Sequence, residues 1–119
     1  MPVMSEESQV VVPQSFVALY LEPGRSRPRA SRAEIAARHE FCEDLATMLT
    51  EHAATRRWEL GVAEDDVLDR VHQGLLGAES GVDAAEAEWV MRRLAELLDW
   101  RESRFHPDAL GAAPRAPRG

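Results

Sequence analysis

Apolar residues recur at helical spacing along most of this chain, and the longest stretch to carry the pattern is residues 31–60. It contains no Gly and no Pro. Ile35, Cys42 and Leu49 lie seven residues apart and so share a face. Leu45 and His52 join them, Phe41 and Met48 widen the stripe, and Ala53 extends it. Glu40, Glu43, Asp44 and Glu51 are read as the opposite, solvated face. Both ends carry chemical signals. Ser31 followed by Glu34 is a capping box, in which each side chain satisfies an orphan N–H. Gly61 suits the position just past the helix, because Gly takes the left-handed conformation without steric cost. The pattern predicts a helix over about 32–60, roughly 43 Å long at 1.5 Å per residue. If the helix is two, the break belongs at 54–57.

Shorter elements flank this spine. Pro13 suits a first helical turn, and Phe16, Leu19 and Tyr20 fall on one helical face. A short helix over about 14–21 is expected, with a buried strand over 16–21 as the alternative. Glu22-Pro23-Gly24 ends that element, and RSRPRAS follows as a non-helical linker. After Gly61, the carboxylates of Glu64, Asp65 and Asp66 complement the dipole of a helix over about 64–76. Asp83 and Glu86 form a second capping box before a helix over about 84–100, striped by Val90, Met91, Leu94, Leu97 and Leu98. The expectation is an all-α fold: a small helical bundle with a long central helix, a short N-terminal helix and a C-terminal helical hairpin. Residues 1–12 read as a flexible arm, 13–101 as one helical domain, and 102–119 as a disordered tail rich in Pro, Ala and Arg.

Composition narrows the chemistry. All 14 basic residues are arginine. Without lysine the chain has no P-loop lysine, no Schiff base and no Ser-Lys dyad. Net charge is −7 but uneven: residues 39–102 carry −10, while 22–38 carry +3. Such an acidic body repels a phosphate backbone over most of its surface. Cys42 is the single cysteine, so no intramolecular disulfide forms. The first residues show no basic and apolar leader, and no apolar run approaches the roughly 20 residues of a membrane span. A cytoplasmic, soluble protein is expected, without membrane contact.

Each candidate chemical constellation is incomplete. His39 and Cys42, three apart, would offer two metal ligands where a structural site needs four. Asp69 and His72 are one degenerate copy of a motif that di-iron bundles carry twice. Glu64-Asp65-Asp66 lacks the spacing and the Gly of a calcium loop. Ser15, Ser31 and Ser80 sit in capping or turn contexts, with no G-x-S-x-G. No catalytic, cofactor or metal residue is therefore nominated, and no cofactor is expected. The residues singled out for contact are the linker arginines Arg25, Arg27, Arg29 and Arg32, and the tryptophans Trp58, Trp89 and Trp100. Trp is enriched at interface hot spots, although all three could equally cover the ends of a small core.

The stretches VPQSFVALYLEPGR, EIAARHEFCEDLATMLTEHA and AEAEWVMRRLAELLDW resemble a family of short, uncharacterised bacterial proteins loosely labelled "ATPase with chaperone activity". The resemblance spans most of residues 10–100 and carries no motif that transfers residue by residue. With no lysine and no G-x-x-x-x-G-K-[ST], it implies a partner of an ATPase rather than the motor. The expected function is a non-enzymatic interaction module, an adaptor or regulatory subunit, with a protein partner or a second copy of the chain. One alternative is a nucleic-acid-associated regulator using the 25–32 linker, which the acidic charge disfavours. Another is an enzyme with a pocket around His39, His52 or His72.

Overall fold

The computed structural model describes residues 11–25 and 27–108. They are all-α, with no strand among the described residues. Helix α1 is Gln14–Val17, continued by a 3-10 turn at Ala18–Tyr20. The others are α2 (Arg32–Leu60), α3 (Glu64–Leu75) and α4 (Ala84–Leu98). Residues 1–10 and 109–119, most of the expected arm and tail, lie outside the described residues. No helix is long and apolar enough to cross a membrane. The chain divides into two compact units, Met1–Glu40 and Phe41–Gly119. The division falls inside α2.

The first unit is built on an aromatic knot. Phe16 is fully buried, with ring centroids 5.5 Å from Tyr20 and 5.4 Å from the edge-on His39. Ile35 on α2 is also buried. The arginine linker is a folded loop. Arg25 N–H donates to the Glu22 carbonyl at 2.9 Å, closing a turn in which Gly24 has φ +79. Pro at the second position and a positive-φ Gly at the third are what a type II turn requires. Leu21 and Pro28 pair across the loop, and Arg29 N–H donates to the Tyr20 carbonyl at 2.7 Å. The Ser31–Glu34 box then starts α2, with both reciprocal bonds formed at 2.9 and 3.0 Å.

The second unit packs the rest of α2 with α3 and α4. From α2 it buries Cys42, Ala46 and Ala53, all small. The bulk of the core comes from Val67 and Leu68 on α3, and Val90, Met91 and Leu94 on α4. The expected stripe on α2 is corrected here. Cys42 and Ala53 are inside, but Phe41 is 41% exposed, Met48 is 65% exposed and His52 is exposed. The buried face passes through Ala46 instead, so the stripe is rotated away from Phe41 and Met48.

Two side-chain clasps join distant parts of this unit. The Arg93 guanidinium donates from Nε and Nη2 to both Glu43 oxygens at 2.9–3.1 Å, and from Nη1 to Glu96 at 3.0 Å. The Glu43 hydrogen bond holds the Arg93 pKa above its usual value. Both side chains of the Arg93–Glu43 pair are about 30% exposed, so solvent screens the attraction only in part. The second clasp closes the C-terminal turns. Asp65 accepts from Ser103 Oγ at 2.6 Å and from Arg104 N–H at 3.2 Å, and Asp69 pairs with the Arg104 guanidinium.

That clasp corrects the expected start of the disordered tail at residue 102. Ser103, Phe105 and His106 are buried, and Phe105 meets His72 edge-on at 5.6 Å. Helix α4 ends at Leu98, two residues before the expected boundary, because Asp99 turns left-handed with φ 58. Trp100 N–H then bonds back to the Ala95 carbonyl at 3.0 Å.

Two outcomes test this packing. Phe105→Ala should cost about 3 kcal/mol in urea unfolding; an unchanged midpoint would return residues 102–108 to the tail. A double-mutant cycle of Glu43→Gln and Arg93→Met should give a coupling of about 1 kcal/mol; a coupling near zero would remove the first clasp from the account.

Candidate functional site

A concave feature beside one of the sequence-nominated histidines, His52, lies between the end of α2 and α3. A three-residue turn, 61–63, reverses the chain there, with Gly61 at φ +63 and its N–H bonded to the Arg57 carbonyl at 2.9 Å. His52, Arg56 and Leu60 stand four apart along one ridge of α2. Val67, Arg70 and Val71 face them from α3. The groove between has a volume of about 390 Å³. Its floor is apolar, from Leu60, Val67 and Val71, and its polar groups are two guanidiniums and an imidazole.

The electrostatics of the groove depart from its surroundings. Residues 41–108 contain sixteen carboxylates and seven arginines. Arg93, Arg101 and Arg104 are held in ion pairs with carboxylates. Arg57 lies over the Trp100 ring at 5.8 Å. Arg56 touches Glu59 only at 3.5 Å, with both side chains about half exposed, which contributes little. Arg70 makes no ion pair among the described residues, although Asp66 precedes it by one turn. The groove is thus a basic pocket in an acidic unit, able to receive an anion beside an apolar group.

The groove's polar chemistry is set by one imidazole and two guanidiniums. None of its lining residues is a carboxylate, serine or cysteine. The histidines are dispersed: His39 in the aromatic knot, His52 in the groove, His72 against Phe105, and His106 in the C-terminal turns, where its Nδ1 accepts from Asp108 N–H at 3.0 Å. Cys42 is fully buried. Among the described residues no three His, Cys, Asp or Glu side chains converge as metal ligands. Asp65 and Asp69 are taken up by Ser103 and Arg104.

The contact residues nominated from sequence fall in different places. Trp58 is 86% exposed and stands two positions from both Arg56 and Leu60, so it points away from the groove. Trp89 is buried at 5% exposure and packs the core. Trp100 is half-buried beneath Arg57. In the first unit Arg25 and Arg27 are exposed on the loop and Arg32 is exposed at the start of α2, whereas the Arg29 guanidinium rests 4.9 Å from the Tyr20 ring centroid. Sequence reasoning missed Arg56 and Arg70 as a pair. The available signal was Arg70 between Val67 and Val71, an arginine on the margin of an apolar helical face.

No family model, curated protein or solved structure matches the chain. The site is therefore read from its own geometry. One consequence concerns Cys42: native protein should react with a thiol reagent at least about 100-fold slower than the urea-unfolded chain. Rapid labelling in native buffer would show that this face of α2 is open.

Proposed function

We propose that this protein is a non-enzymatic protein-interaction module, an adaptor or regulatory subunit that acts through helical surfaces of its second unit. The observation that carries the reading is the exposure of large apolar side chains on α2, with Trp58 86% and Met48 65% exposed, in a unit that supplies a complete core without them. Exposed Trp gains most from burial against a partner, and Met adapts to irregular surfaces. A cytoplasmic setting fits a lone, buried cysteine that stays reduced. On this reading the ATPase label of the resembling family belongs to a partner, and a second copy of the chain is one candidate partner.

The nucleic-acid alternative has its own support, because Arg25 and Arg27 on the folded loop and Arg32 at the start of α2 are exposed with no ion pair among the described residues. Salt-sensitive binding of a labelled RNA or DNA, lost in an Arg25→Ala/Arg27→Ala variant, would favour it; no binding at low salt ends it.

The module reading is tested by capture and sedimentation. Wild-type protein should either retain a stoichiometric protein partner from its native cell or self-associate below about 100 μM. Trp58→Glu should lose that association while keeping stability within about 0.5 kcal/mol. A strict monomer that captures nothing would overturn the reading.

A further inference from the structure

We propose that the groove between the end of α2 and α3 docks an acidic segment of a partner protein, one that inserts an apolar anchor side chain. This rests on the interaction-module reading and names the chemistry of the partner. The groove sets two guanidiniums over an apolar lining, which complements an acidic, apolar-anchored segment. Val67 is 1% exposed and closes the base, so the apolar surface open to a ligand comes from the half-buried Val71 and from Leu60, at 40% exposure. Arg56 stands on one wall and Arg70 on the other. A segment lying along the groove would set its anchor against Leu60 and Val71 and offer carboxylates to both sides. A guanidinium receives a carboxylate through two parallel hydrogen bonds, and it is weakly hydrated for a cation, so it suits a half-apolar cleft.

Arg70 is the deciding residue. The surrounding unit carries a large excess of carboxylates, and most of its arginines are engaged by them or by an aromatic ring. Arg70 has no ion pair among the described residues and faces the groove. An acidic partner is repelled over the rest of this unit, so its approach is confined to the basic groove, and charge gives orientation as well as affinity. A nucleic acid does not fit the same place. Its backbone needs basic groups along an extended track, and the helices around the groove are acidic.

The test is fluorescence anisotropy with the full chain and a labelled amphipathic peptide of about 12 residues, rich in Glu and Leu. The same peptide with Glu→Gln or with Leu→Ser serves as control, and decanoate competes as a small amphipathic anion. Circular dichroism confirms that each protein variant is folded. Binding should weaken about tenfold in Arg70→Glu and stay unchanged in Arg92→Glu, whose arginine also lacks an ion pair among the described residues but does not line the groove. Both control peptides should bind more weakly. Equal losses in the two arginine variants, or equal binding of the Leu→Ser peptide, would reduce the effect to general charge and overturn the proposal. So would binding of decanoate without binding of the peptide. The two readings fail separately: a partner captured equally by wild type and Arg70→Glu removes the groove and leaves the module, whereas a monomer that captures nothing removes both.

Discussion

The rotational phase of α2 decides what the second unit keeps inside and what it leaves on the surface. That helix turns Cys42, Ala46 and Ala53 inward, and all three are fully buried. A face of small residues contributes little volume, so the larger side chains of α3 and α4 must fill the core against it. The same phase pushes the bulky residues of α2 outward. Met48 and Trp58 would each bury much apolar surface, yet both remain in water. Exposure of such residues costs solubility unless something covers them, and this is the physical root of the interaction reading.

Polar clasps complete what the small core begins. Glu43 and Arg93 tie α2 to α4 across fifty positions of sequence, in bidentate geometry. Asp65 and Asp69 hold Ser103 and Arg104, which carries Phe105 over His72. Asp65, in the first turn of α3, thereby serves twice, complementing the helix dipole and anchoring the C-terminal turns. Gly81 shows how tightly one loop is set. With φ +87 and a Phe41 ring carbon 3.3 Å from where a Cβ would stand, it is constrained both by backbone conformation and by space. Two of the arginines that these clasps do not use, Arg56 and Arg70, line the groove.

Local chemistry was legible in the sequence and three-dimensional pairing was not. The spine helix is found at 32–60 because a capping box and a Gly mark its ends by short-range hydrogen bonding. The Asp83–Glu86 box starts α4 for the same reason. Errors arose where phase or partners decide. Apolar spacing alone favoured Phe41 and Met48 as core, because periodicity weighs large residues and undervalues alanine at a close helix contact. The C-terminal turns were missed because Ser103 and Phe105 sit beside a stretch rich in Pro, Ala and Arg, and their partners lie some forty residues earlier. The groove was invisible for a similar reason: Arg56 and Arg70 become neighbours only when the 61–63 turn folds α3 back along α2.

The functional account depends on that inward alanine face, since it is what leaves the apolar bulk of α2 outside. Urea unfolding of two variants tests it most directly. Ala46→Leu should overpack the core and lose about 2 kcal/mol, while Met48→Ala should stay within about 0.5 kcal/mol of the parent. A neutral Ala46→Leu together with a strongly destabilised Met48→Ala would place the buried face of α2 elsewhere and contradict the account.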